Sequence, residues 1–145
     1  MQTKPLLRDR DIDTLARTIY GEARGEYKNS KIGLTALVAV GYVVLNRYLE
    51  KKWYGSTIEE VCLKPYQFSC WNQSDPNRSI VENIQKGEVI FDICSHVAEN
   101  VLFRELADPT FGSNHYYATS MSAPPSWAAG RLAVTQIGHH RFYKL

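Results

Sequence analysis

Nothing in this sequence calls for covalent cross-linking, a membrane or a nucleic acid. Its 145 residues include three cysteines, Cys62, Cys70 and Cys94, too few and too odd in number for a disulfide framework. No C-x-x-C pair or Cys/His cluster has metal-ligand spacing, so neither a metal nor a cofactor is expected. Charge of one sign is scarce: 17 Lys and Arg against 15 Asp and Glu leave +2. That excludes an electrostatic case for nucleic acid and allows only mild attraction to an anionic polymer. The longest apolar run, Gly33 to Leu45, is too short to cross a bilayer, so no stable membrane insertion is expected. The first ten residues hold no apolar core of a secretory signal, and the chain is expected to begin in the cytoplasm. Repeats, low-complexity tracts and linkers are lacking.

What is there reads as one domain, with residues 1–10 a polar lead-in and 11–145 the folded unit. Ile12, Leu15, Ala16, Ile19 and Ala23 form the stripe of an amphipathic helix over 11–24, with Asp11 its N-cap and Gly25 its end. Glu26 to Ser30 is a turn. The next helix spans 31–48 and is apolar nearly all round from Leu34 to Leu45, as in a buried central helix. Ser56-Thr57-Ile58-Glu59 reads as a capping box opening a short helix through Cys62, stopped by Pro65. Tyr66 to Ser79 is a polar loop with aromatics, and 80–85 holds a turn or two of helix. A longer helix covers 88–104, with Cys94 on its buried stripe. After Asp108-Pro109 the pattern changes to strands at 115–118, 133–137 and 140–143. The fold class is α+β, mainly α, with a small antiparallel sheet near the C-terminus.

Glu22 falls about 60° from the centre of the first helix's stripe, where the buried face meets solvent. A partly desolvated carboxyl group there is easier to keep protonated, and a protonated acid can donate to a leaving oxygen. Gly21 beside it lets something approach the backbone closely. Taken alone, these are ordinary helix-end charges. Loop clusters of amide, hydroxyl and aromatic residues add weight: Gln67-Phe68-Ser69-Cys70-Trp71, His115-Tyr116-Tyr117, Pro124-Pro125-Ser126-Trp127 and 137–143. Aromatic faces stack on pyranose rings while amides and hydroxyls bind sugar hydroxyls. Candidate substrate contacts are Gln67, Ser69, Trp71, His115, Tyr117 and Tyr143, with Tyr116 on the other face of its strand. Arg24 and Glu26 are candidates for supporting Glu22, or for stabilising the helix end.

Taken in order, Ile19-Tyr20-Gly21-Glu22-Ala23-Arg24-Gly25-Glu26, Val43-Val44-Leu45-Asn46-Arg47, Pro65-Tyr66-Gln67-Phe68-Ser69-Cys70-Trp71 and the C-terminal blocks resemble the cell wall hydrolase SleB family. That family comprises the spore cortex-lytic enzymes and their relatives. The resemblance covers residues 11–145. It implies a lysozyme-like helical fold and cleavage of the β-1,4 bond between N-acetylmuramic acid and N-acetylglucosamine in peptidoglycan glycan strands. It also implies Glu22 as the acidic catalyst, and a lytic transglycosylase product with a 1,6-anhydro end. Without a visible signal or second domain, the chain looks more like a stand-alone phage endolysin. It would then be a monomer that reaches the wall with a holin-like, membrane-permeabilising partner.

Other readings of the same residues are a hydrolytic muramidase on the same bond and a non-catalytic glycan-binding module. A thiol hydrolase pairing Cys70 with His115 lacks an electropositive setting for the thiol. A zinc amidase using His96, His115, His139 and His140 is disfavoured because adjacent His139 and His140 in a strand point to opposite faces.

Overall fold

Leu15, Ala16, Ile19 and Ala23 are fully buried, and the helix that carries them is the one the other helices pack on. A computed structural model describes residues 8–29 and 31–145; the lead-in up to residue 7 and Ser30 of the expected turn lie outside the described residues. The elements are α1 (Asp9–Asn29), α2 (Gly33–Glu50), α3 (Ile58–Leu63), α4 (Asn77–Asn83), α5 (Val89–Leu102), β1 (His115–Ala118), β2 (Thr135–Ile137) and β3 (His140–Tyr143). α1 lies against α2, α3, α4 and α5, and α2 also meets α5 and α3. The apolar run of α2 is buried continuously from Ala36 to Leu45, as its all-round hydrophobicity predicts. Among the described residues no helix is long and apolar enough to cross a membrane.

The first helix does not end at Arg24; it continues through Gly25 to Asn29. A side chain at Gly25 would meet open space, so its absence there marks no turn. Tyr27 packs against the core and extends the buried stripe. Gly33 opens α2 against this last turn: a Cβ on it would lie 2.6 Å from the Tyr27 Cα.

Asp11 is not the N-cap of α1, because the helix begins two residues earlier. Its buried carboxylate accepts the Arg8 backbone N–H at 3.2 Å and the Arg8 guanidinium at 3.1 Å. It also accepts the Glu59 N–H at 3.1 Å, so one side chain satisfies the exposed amides of α1 and α3 together. Burial alone would raise its pKa, but the Arg8 hydrogen bonds and backbone donors more than offset this and hold it below its ordinary value. A carboxylate with a depressed folded-state pKa contributes stability above its unfolded pKa and loses it as pH falls through the folded one. Asp11→Asn is therefore expected to lower the melting temperature near pH 7. The gap to wild type should narrow as pH falls below about 4. Thermal melts from pH 7 to pH 3 check this.

The capping box is displaced by one residue. Thr57, not Ser56, caps α3, accepting the Glu60 N–H at 3.0 Å, while the Glu60 carboxylate takes the Ser56 N–H at 2.8 Å. α4 begins at Asn77, earlier than the helix expected over 80–85. The Arg17 guanidinium donates to the carbonyls of Val81 and Ile84 at 2.7 and 2.8 Å, closing the C-terminal end of α4 onto α1. Glu88 caps α5 through the Phe91 N–H at 2.7 Å.

The three strands are antiparallel in the order β1-β3-β2, with Tyr116 opposite Phe142 and Tyr117 opposite Arg141. Phe142 is fully buried and joins the sheet to the helical core. The C-terminal end of α2 holds the other side: Asn46 donates to Asp108 and the Ser113 carbonyl, and Arg47 Nε to the Asn114 carbonyl at 2.6 Å. The mainly helical α+β arrangement expected from the sequence is the one observed.

Candidate active site

Gly21 decides what can stand beside Glu22. A Cβ at residue 21 would sit 2.6 Å from the Cys70 Cβ and 2.7 Å from both Cys70 Sγ and Val81 Cγ1. Only glycine allows the 66–71 loop and α4 to close so tightly on α1. That closeness brings the Cys70 backbone N–H to Glu22 Oε2 at 3.2 Å, with the Ser69 hydroxyl at 3.4 Å. The loop is anchored further along, where the Trp71 indole N–H donates to the buried Thr18 hydroxyl at 2.9 Å.

The other oxygen, Oε1, accepts the Tyr116 hydroxyl at 2.6 Å. Burial, then the charge of Glu22, holds the Tyr116 phenol well above its ordinary pKa, so it stays protonated and donating. Three donors from two separate parts of the chain thus fix one carboxyl group.

Glu22 opens onto a cleft of about 510 Å³ between the helices and the sheet. Arg47 lies at its base, 7% exposed, its guanidinium over the rings of Tyr54 and Phe68. Gln67, Ser69 and Tyr117 also line the cleft, as do Asn77, Trp127 and His140. Among the described lining residues Glu22 is the only carboxylate.

The other residues singled out in the sequence fall in different places. Gln67 donates its amide to the carbonyls of Tyr54 and Val61 at 3.2 and 2.6 Å, fastening the loop to the start of α3. Trp71 lines an adjoining groove. His115 and Tyr143 stand behind the cleft wall. The His115 ring packs on Trp127 at 5.0 Å, and Tyr143 stacks on Tyr117 at 5.9 Å. Burial, then the nearby Arg47, pushes the His115 imidazole down to about 4, leaving it neutral at neutral pH.

Arg24 does not bond Glu22. It reaches the Asn77 side chain at 2.6 Å and so holds the start of α4 at the cleft edge. Glu26 turns to the β2–β3 hairpin, where Oε1 accepts the His139 N–H at 3.1 Å and meets its ring Nδ1 at 2.9 Å. Its Oε2 lies where a Cβ on Gly138 would come within 2.3 Å. Gly138, at φ 58°, therefore admits both the turn and the carboxylate, and Glu26 ties the hairpin to α1.

His139 is exposed while His140 faces the cleft beside Tyr116, ring centroids 4.9 Å apart. Burial lowers the His140 pKa. Among the described residues no three His, Cys, Asp or Glu side chains gather to hold a metal. The Cys70 thiol is buried, and burial with the neighbouring Glu22 drives its pKa up, away from thiolate chemistry.

Tyr116, Arg47, Asn77 and His140 were not among the candidate contacts. The basic residue closing the apolar run of α2 was the available signal for Arg47.

A family model described as cell wall hydrolase matches residues 33–143, a span that begins after Glu22. A spore cortex-lytic enzyme of Oceanobacillus iheyensis is 30% identical over 134 residues, covering 92% of this chain and 41% of the relative. The chain thus spans less than half the length of that relative. The crystal structure of the catalytic domain of the Bacillus cereus SleB protein superposes with a TM-score of 0.71 at 24% identity, covering 99% of this chain and 98% of that one. The catalytic domain of the germination-specific lytic transglycosylase SleB from Bacillus anthracis gives 0.69 at 24% identity, covering 98% and 100%. The two structures establish the shared fold, and the matched span, over three quarters of the sequence, establishes that this chain belongs to the cell wall hydrolase family.

Proposed function

We propose that this domain cleaves the β-1,4 bond between N-acetylmuramic acid and N-acetylglucosamine as a lytic transglycosylase, with Glu22 as acid and then base. The observation that carries this reading is a single carboxylate, fixed by three donors, in a cleft lined by aromatic, amide and hydroxyl groups. Hydrolysis by either usual route employs a second carboxylate, as nucleophile or to activate water.

In the first step Glu22 gives its proton to the glycosidic oxygen as the C1–O bond breaks, and N-acetylglucosamine leaves with a free O4 hydroxyl. Tyr116, Ser69 and the Cys70 N–H then offset the charge left on the carboxylate. In the second step the carboxylate takes the proton of the muramic C6 hydroxyl, whose oxygen bonds to C1 and closes the 1,6-anhydro ring. The net transfer is one proton from O6 to the leaving oxygen, and Glu22 is restored. Arg47 supplies a fixed positive field beneath the reacting groups.

Incubation with purified sacculi tests the activity: soluble muropeptides with intact stem peptides are expected. Binding without release would favour a glycan-binding module, and free stem peptides an amidase. Removing only the Tyr116 hydroxyl, in Tyr116→Phe, is expected to lower kcat about 10- to 100-fold, the loss of one hydrogen bond to a charged group. Circular dichroism should remain that of the wild type. Undiminished turnover would mean that this donor does not serve the reaction.

A further inference from the structure

Tyr66 occupies a backbone position that does not suit it. Pro65 and Tyr66 are the central residues of a turn closed by the Gln67 N–H on the Lys64 carbonyl at 3.1 Å, and Tyr66 has φ 65°. Turns with proline first and a positive φ second take glycine or asparagine there. The Tyr66 N–H is held by the Asn72 side chain at 3.3 Å. The conformation is sustained for a side chain that the core does not use: Tyr66 is 89% exposed. Strain of this kind gathers at functional positions.

The ring stands between two depressions. One is the Glu22 cleft; the other is an adjoining groove of about 680 Å³, and Tyr66 lines both. The second groove offers the Trp71 indole together with Asn72, Gln73 and Ser74. An aromatic face with amides and a hydroxyl is again the chemistry that binds pyranose rings.

We propose that Tyr66 is a stacking platform for a sugar of the glycan strand, leading the strand out of the Glu22 cleft into the groove beside Trp71. This rests on the glycan-cleaving reading above and extends it to strand-length preference. It makes Tyr66 a binding residue with no part in the proton transfers.

Kinetics of Tyr66→Gly and Tyr66→Phe on long glycan strands and on short soluble fragments test it. Tyr66→Gly is expected to raise KM on long strands about three- to tenfold, the worth of one aromatic contact. Its kcat should stay at the wild-type value, and its KM on short fragments should rise less than on long strands. Its melting temperature should be unchanged or higher, because glycine relieves the positive φ; a merely structural tyrosine would lower it. Tyr66→Phe should behave as wild type, since stacking needs the ring and not the hydroxyl. A wild-type KM for Tyr66→Gly on long strands would overturn the proposal, and so would an equal rise on short and long substrates.

The same substitution in a Glu22→Gln background, assayed by retention on insoluble sacculi, needs no turnover. Weaker retention there supports the platform even if the catalytic assignment fails, and equal retention overturns the platform while leaving that assignment standing.

Discussion

Glu22→Gln is expected to leave a folded protein whose lytic rate is down by about 10²–10⁴-fold, the usual contribution of a positioned general acid. Glutamine keeps the shape and can accept the Cys70 N–H through its oxygen, while the Tyr116 hydroxyl turns to accept from the amide. The Tyr116 O–H loses its carboxylate acceptor while its oxygen gains the amide donor, so the fold should be kept with at most a small drop in melting temperature. What is lost is the exchangeable proton, needed in both halves of the reaction. Muropeptide release measured beside thermal melts separates the two effects. Near-wild-type release by this variant would remove Glu22 from the mechanism.

The second large effect is expected from Gly21→Ala. The added methyl would overlap Cys70 and Val81, which are both fully buried, so neither can swing into solvent to make room. Overpacking of this kind costs about 1–3 kcal/mol. It also pushes the 66–71 loop off α1 and draws the Cys70 N–H away from Glu22. Small misplacements of catalytic groups are expensive, and activity per folded molecule should fall at least about tenfold. Gly25→Ala is the control within the same helix. A Cβ there meets open space, so replacing a mid-helix glycine should stabilise by about 0.5–1 kcal/mol and leave activity unchanged. Equal behaviour of the two variants would contradict the close-packing role assigned to Gly21.

These two glycines also show what could be read from the chain and what could not. The sequence placed α1, α2 and α5 because their apolar spacing is regular and local. It placed Gly21 as a point of close approach without saying that Cys70 and Val81 are what approaches. Gly25 suggested a helix end because glycine is common there, yet the packing of Tyr27 and the helix's own hydrogen bonds carry it on. Asp11 suggested the N-cap of α1, but it lies inside the first turn and holds the Arg8 and Glu59 amides instead. No local rule could show that, since Glu59 arrives from a distant segment.

Tyr116 escapes a reading by strand alternation. Strand alternation puts it on the face opposite Tyr117, which leaves only one of them for a cleft on one face. The sheet has three short strands and the cleft takes Tyr116, Tyr117 and Ala118 in succession, drawing on both faces of β1. Glu26 and Glu22 share a motif, and helical spacing puts them near one another. The β2–β3 hairpin turns Glu26 to a different task by presenting the His139 amide. Tyr66 stands in the aromatic loop without being distinguished by pattern or composition; its strain and its exposure exist only in the folded chain.

The central claim is that a lone carboxylate hands a proton between two sugar oxygens and water takes no part. Digesting purified sacculi in water enriched with heavy oxygen, followed by mass spectrometry of the new muramic ends, tests it most directly. The account predicts anhydro ends carrying no heavy oxygen. Reducing ends labelled with heavy oxygen would contradict it, because water would then have attacked the bond that Glu22 opens.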